Sequence, residues 1–319
     1  MLGKTVRSEL PITAPPFKRQ PWLKTLFQWR CSVIPAVLPR TMICAGFGLF
    51  IAVLHALGVP VALTTLGNLV PSIVLGLLLV FRTNTAYERF WEGRKQWGTL
   101  VNTSRNLARQ MWVAIEETEE RDQRNKARHL RLLVAFAIAM KLHLRGEPLN
   151  AEFAALVTPA QFTKLKTMNH PPLEVAFWIA DYLQTCSDRR KLNPYQLSAM
   201  TQLLDQLIYV LGSCERILKT PIPLAYTIHL KQLLMLYCLA LPFQMVDAFQ
   251  WWTAFIVGLI SFTVFGIEAI GIEIENPFGY DPNDLPLDDI CRIMHHNIED
   301  LITLTPNNCR WLQKHSTTP

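Results

Sequence analysis

The sequence predicts an all-α membrane protein: four transmembrane helices joined to a helical cytosolic domain. Three observations carry this reading. First, four segments are apolar over roughly 16–20 residues each, about what a ~30 Å hydrocarbon core demands. Second, 50% of the residues are hydrophobic and 18% are charged, too apolar for a soluble chain and too charged for one lying wholly in a bilayer. Third, the second apolar segment enters polar sequence with no helix stop, since no proline occurs between Pro71 and Pro148. A helix from Leu69 to Ile115 would be roughly 70 Å long at ~1.5 Å per residue, about twice the bilayer core. Such a rod lines a membrane path at one end and builds a cytosolic body at the other, which suits a conduit better than a tethered enzyme.

The elements follow in order. Residues 1–40 are polar, basic and proline-containing, a cytosolic N-terminal segment without the apolar core of a secretory signal. Residues 41–81 carry transmembrane helices 1 and 2, at 41–57 and 66–81. Residues 82–220 form the helical cytosolic domain, with breaks expected at 117–122, 146–148 and 170–172. Within it, the nine apolar residues from Leu132 to Met140 are flanked by Arg128, Arg131, Lys141 and Arg145. That run is too short to span and reads as a buried core helix. Residues 221–268 carry transmembrane helices 3 and 4, at 224–241 and 251–268, with an external hairpin between them at 242–250. His229 and Lys231, near the start of the third span, reach back to the interface. Residues 269–319 are a cytosolic C-terminal segment.

Charge sets the orientation. Lys18, Arg19, Lys24, Arg30 and Arg40 precede the first span, Arg82, Arg89, Arg94 and Lys95 follow the second, and Arg216 and Lys219 precede the third. The loop at 58–65 has no charge. Both termini therefore face the cytoplasm. The net charge of +6 follows this positive-inside bias and not a nucleic-acid surface. The seven cysteines form no CxxC pair and read as small buried apolar residues. No GxSxG, P-loop, HExxH or complete GxGxxG motif is present, so no enzyme is indicated. Gly46 and Gly48 read as helix-packing residues, and His295, His296, Glu299 and Asp300 as a solvated or interface cluster.

Two features of the long rod are candidates for function. Pro71 is placed to bend the helix axis. Leu69, Ile73 and Leu77 stack one turn apart, and copies of that stripe around an axis would make an apolar constriction that gates by dewetting. Further along, Tyr87, Phe90, Trp91, Arg94 and Gly98 recur at spacings of three or four. They form one face for packing against neighbouring subunits, and Arg89 is spaced to pair with Glu92.

At these residues the chain resembles the bestrophin family, in its bacterial and chloroplast-like branch. Four stretches carry the resemblance: residues 81–98 (FRTNTAYERFWEGRKQWG), 214–217 (CERI), 220–226 (TPIPLAY) and 275–279 (ENPFG). The resemblance implies a homopentameric ion channel in a lipid bilayer, passing chloride or another small monovalent anion. A sodium-selective channel of the same fold is the alternative, and a non-conducting scaffold or small-molecule transporter the second. Leu69, Ile73 and Leu77 match the family's pore neck, and a cytosolic constriction would fall between Tyr195 and Leu203. Asp281 and Asp284 match side-chain ligands of the family's calcium clasp. No cofactor is required, and calcium is a possible ligand there. Glu268, Glu273 and Glu275 would oppose anion preference if they faced the path. The membrane is the cell inner (plasma) membrane, or the thylakoid in a photosynthetic source.

Overall fold

The computed structural model describes residues 28–29, 32–63 and 69–305. Most of the N-terminal segment, residues 64–68 and residues 306–319 lie outside the described residues. Among the described residues there is no strand, and helices joined by loops make up the fold.

Helix α1 (Ile34–Ala56) begins seven residues before the expected start of the first span and runs through Pro39. Pro35 sits in the first turn, where a missing N–H forfeits nothing, and Pro39 forfeits only the bond to the Pro35 carbonyl. Helix α2 (Leu69–Ala114) has 46 residues, about 69 Å at ~1.5 Å per residue, and is the predicted rod. It ends without glycine or proline. Instead, Lys126 is fully buried beneath its last turn. Its Nζ donates to the carbonyls of Trp112 (2.9 Å) and Ile115 (3.0 Å) and pairs with Glu117. A cation thus satisfies the free carbonyls and the negative pole of the helix end.

Helix α3 (Glu120–Arg145) opens on a capping box between Glu119 and Asp122 and closes on Gly146, whose φ of 68° favours glycine. Leu132 to Met140 are buried along it, as expected of a core helix. Short helices α4 (Ala151–Ala154) and α5 (Pro159–Leu165) lead to α6 (Pro171–Asp188) and α7 (Pro194–Lys219). Proline stands at the first or second position of α5, α6 and α7. The break between α6 and α7, where Arg190 takes φ 58°, has no counterpart among the expected ones.

Helix α8 (Leu224–Phe249) continues through Pro242. The hairpin expected at 242–250 therefore contracts to a 3₁₀ turn at Gln250–Trp252, with Gln250 at φ 46°. Pro242 is buried against its neighbours, and such packing tolerates proline within a spanning helix. Helix α9 (Thr253–Glu273) returns, and α10 (Leu287–Thr303) closes the fold.

Two cores share α2. One collects Val37 and Cys44 of α1, Leu75 and Leu79 of α2, Leu230, Leu234 and Cys238 of α8, and Val257 and Phe265 of α9. The other gathers the far end of α2 with α3, α6, α7 and α10. Helices α1 and α9 approach through small residues. A Cβ on Gly48 would stand 3.3 Å from Ala254 Cα, and one on Gly258 would stand 3.2 Å from Ala45 Cβ. Gly48 thus packs helices as expected, whereas Gly46 faces open space. The first core is ringed by exposed Met42, Ile43, Phe50, Leu236, Phe255 and Leu259, with Trp251 and Trp252 exposed at the hairpin tip. An outward apolar belt ending in tryptophan suits acyl chains and their interface, not water. Ile34–Ala56 and the Leu224–Glu273 run are long and apolar enough to cross a membrane, and the latter folds as two antiparallel spans. Only the 69–81 part of the second predicted span falls within the described residues.

Candidate ion pathway and its junction

Helix α2 presents two opposite rows along its whole length. Leu75 and Leu79 are 5% and 4% exposed and begin a buried row that continues through Arg82, Ala86, Gly93, Trp97 and Leu100. On the other side Ile73 is 64% exposed and Leu77 53%. That row continues through Asn84, Glu88, Trp91, Lys95, Asn102 and Arg109, all exposed. Spacings of three and four keep each row on one side of the helix. The exposed row is apolar beside the first core and, Trp91 apart, polar beside the second. Leu69 falls in the same row one turn earlier, but its side chain lies outside the described residues. Pro71 stands in the first described turn of α2, so no described helix precedes it for it to bend.

The expected packing face is split. Tyr87, Trp91 and Arg94 are exposed, whereas Phe90 is half-buried against the second core. Trp91 shares the row of Ile73 and Leu77. Arg89 does not pair with Glu92. Its guanidinium turns away to donate to three carbonyls: Glu275 (3.1 Å), Ile217 (2.6 Å) and Thr220. Free carbonyls at the end of α7 outbid a solvated i,i+3 partner. Glu92 is left with Lys95 (3.6 Å) and Gln96 (2.6 Å).

Arg89 belongs to a junction where all four sequence stretches behind the family resemblance meet. Arg82, 2% exposed, donates through Nη1 to Thr227 Oγ1 and through Nη2 to Glu275 Oε2, both at 3.1 Å. The other oxygen of Glu275 accepts from the Ile222 N–H at 3.0 Å. Tyr226 donates its hydroxyl to the Leu78 carbonyl at 2.7 Å. Gly93 leaves room for Pro277 and Phe278 to press on α2. Burial holds the Arg89 guanidinium below its ordinary value while the charge of Glu275 pulls it back up, and the group stays cationic. The junction pins the middle of α2 to the ends of α7 and α9 and to the start of α8. Sequence reading found these residues as motif letters but not their pairing, because Arg82 and Glu275 lie 193 residues apart.

Glu268 and Glu275 do not point freely into a path. Glu268 is buried with Arg40 Nη1 at 3.6 Å, and Glu275 faces Arg82. Glu273 accepts from Asn283 at 2.9 Å. Tyr195, the first residue of the expected cytosolic constriction, is fully out in solvent in the first turn of α7.

The 281–284 turn closes on itself. Asp284 Oδ2 accepts from the Asp281 N–H at 2.8 Å, and its Oδ1 is buried without a partner among the described residues. Burial lifts the Asp284 carboxyl to about 6, and the charges of Asp281 and Glu273 add to this against the Asp281 N–H hydrogen bond. The carbonyls of Phe278 and Gly279 are taken by Arg145 at 3.1 and 3.2 Å. Two carboxylates beside a guanidinium fall short of the six to eight oxygens calcium takes. The turn by itself does not supply a calcium cage.

A further cluster has no fixed spacing in the sequence: His143 of α3, His170 at the N-cap of α6 and Glu215 of α7 meet. His295 lies 3.5 Å from Glu299, which is held in a two-point pair by Arg131 at 2.6 and 2.8 Å. The pair joins α3 to α10 within one chain, with both His295 and Glu299 partly in solvent. The described cysteines, Cys44, Cys186, Cys214, Cys238 and Cys291, are all buried and free.

The chain is similar to known proteins along most of its length. The family model for "Bacterial/Fungal Bestrophin protein" matches residues 16–300. A voltage-dependent anion channel-forming protein of Nostoc sp. is 62% identical over 286 residues, covering 90% of this chain and 93% of the relative. One of Synechocystis sp. is 58% identical, covering 89% and 93%. The crystal structure of a bestrophin homologue from Klebsiella pneumoniae superposes with a TM-score of 0.77 at 29% identity, covering 85% of this chain and all of that one.

Proposed function

The chain belongs to the bacterial and fungal bestrophin family of integral membrane proteins, and on that premise we propose that it is an anion channel, a homopentamer passing chloride through an apolar neck. The observation that carries the proposal is the exposed row of α2, apolar at Ile73 and Leu77 and, from Asn84 onward, polar but for Trp91. It lies opposite the row that packs the helix. One protomer leaves the described residues of this row, Ile73 to Arg109, exposed, and copies around a common axis would close it into a path. Leu69, Ile73 and Leu77 then form three apolar rings, which hold back ions by excluding water.

An apolar neck has no fixed charge, so the sign of the permeant ion comes from the field beside it. Along the polar part of the row Lys95, Arg105 and Arg109 outnumber Glu88. Arg40 and Arg82 hold Glu268 and Glu275, removing two of the three carboxylates that would favour sodium. The names of the Nostoc and Synechocystis relatives agree with anions. The basic flanks of the spans support a cytoplasmic helical body.

Recording purified protein in a planar bilayer under a sodium chloride gradient tests the sign. The current should reverse near the chloride equilibrium potential, and reversal near the sodium value would make this a cation channel. Replacing Leu69, Ile73 and Leu77 together by alanine should raise steady current while the oligomer stays intact in gel filtration. An intact oligomer with unchanged conductance and open probability would assign the path to another face of α2.

A further inference from the structure

Away from the proposed path, three side chains from separate parts of the chain converge on one point. His143 stands in the last turn of α3, His170 at the N-cap of α6, and Glu215 on α7. Nε2 of His143 and Nε2 of His170 each lie 2.7 Å from the same carboxylate oxygen, Glu215 Oε1. The ring centroids are 4.6 Å apart. All three residues are half-buried. His143 also lines a cleft of about 490 Å³ together with Gly146, Pro148, Lys166 and Pro171, so solutes reach the cluster.

We propose that His143, His170 and Glu215 form a transition-metal site that takes Zn²⁺, with solvent in the fourth position. Two imidazoles and one carboxylate suit zinc and its neighbours, whereas calcium and magnesium favour all-oxygen sets. The potential ligand atoms lie within 4.8 Å of one another. Tetrahedral zinc with bonds of ~2.0–2.2 Å keeps its ligands about 3.3 Å apart. The two 2.7 Å contacts must open by roughly 0.6 Å and the wider separations, within 4.8 Å, must close toward about 3.3 Å, which side-chain rotation in a half-buried site allows. Both imidazoles then carry their proton on Nδ1 and give the Nε2 lone pair to the ion. Lys219 Nζ, 3.2 Å from Glu215 Oε2, competes for the carboxylate. It is exposed on a flexible stem and can swing into solvent. Glu215 lies just before Ile217 and Thr220, whose carbonyls Arg89 holds. A bound ion therefore ties α3 and the start of α6 to the end of α7 that leads into the membrane helices.

The test uses full-length protein in detergent, stripped with chelator and titrated with Zn²⁺ by calorimetry, and separately with Co²⁺ by visible absorption. Wild type should bind one Zn²⁺ per chain and give the ligand-field bands of four-coordinate Co²⁺. His143→Ala and His170→Ala should each weaken Zn²⁺ binding by roughly tenfold or more and abolish the bands. Glu215→Gln keeps the shape of the site and should do the same, with gel filtration and melting in the absence of metal confirming the fold of each variant. Absence of binding at about 0.1 mM Zn²⁺, or binding unchanged in both histidine variants, overturns the site.

Discussion

Glu275→Ala is the sharpest test of the junction. The substitution removes the ion pair to Arg82 Nη2 at 3.1 Å and the acceptor of the Ile222 N–H at 3.0 Å. It leaves the contact of Arg89 with the residue 275 carbonyl in place. Arg82 is only 2% exposed, so its charge cannot turn to water. Removing one partner of a buried pair costs about 3–5 kcal/mol, because the other charge is left uncompensated. With roughly 2–4 °C of melting temperature per kcal/mol in a domain of about 200 residues, the drop in detergent should be on the order of 10 °C. Replacing both partners by apolar residues of similar volume, Arg82→Met with Glu275→Leu, should recover most of the loss, since the desolvation penalty disappears with the charges. Melting curves of wild type, Arg82→Met, Glu275→Leu and the double variant form the cycle, with Glu275→Ala measured beside them. A Glu275→Ala protein melting within about 2 °C of wild type would show that Arg82 finds solvent or another anion, and the junction argument would fail.

Two further outcomes follow from local geometry. Gly93→Ala would set a Cβ 3.0 Å from Pro277 Cγ and 3.2 Å from the Phe278 ring and should cost about 1–3 kcal/mol by overpacking. Gly98→Ala meets only the Arg94 side chain at 3.7 Å and should stabilise α2 by up to about 1 kcal/mol, so equal melting shifts for the two would refute the contact. Asp284 has a folded-state pKa raised to about 6, above its ordinary value. Its contribution is therefore most favourable in acid and is lost as pH rises from about 4 to 6. Asp284→Asn should raise the melting temperature at pH 7.5 and much less at pH 5, and calcium at about 1 mM should leave wild type unmoved. A calcium-dependent rise that Asp284→Asn abolishes would make the turn a metal site.

Local signals carried much of the fold. The proline-free interval from Pro71 to Pro148 announced the rod, and the apolar run from Leu132 to Met140, too short to span and fenced by arginines, announced the buried α3. What failed had competing local and tertiary causes. Pro242 looked like a span end because proline breaks isolated helices, yet packing carries α8 past it to Phe249. Arg89 and Glu92 had ideal spacing, but three carbonyls from distant helix ends outcompeted the neighbour. The cluster of His143, His170 and Glu215 joins positions 72 and 45 residues apart, with no fixed spacing to find. Its one local hint is that both histidines abut helix breaks, at Gly146 and at Pro171.

The position of the junction constrains how such a channel moves. Backbone bonding in α2 runs unbroken from Leu69 to Ala114, and its buried row reaches both cores, so the helix behaves as one lever. Arg82 and Arg89 sit near the boundary between its apolar and polar rows, each fixed to elements that do not belong to α2. Tilting the lever far enough to widen a neck at Ile73 and Leu77 must therefore either swing the helical body with it or strip two cations of their partners. The second route costs several kcal/mol for Arg82, which is buried. Rotation of the neck side chains themselves costs far less, since both are more than half exposed in the protomer and aliphatic rotamers interconvert freely on a bare surface. Wetting by side-chain movement on a still backbone is thus the lower-energy way to open the proposed neck, and larger displacements of α2 belong with rearrangement of the whole body.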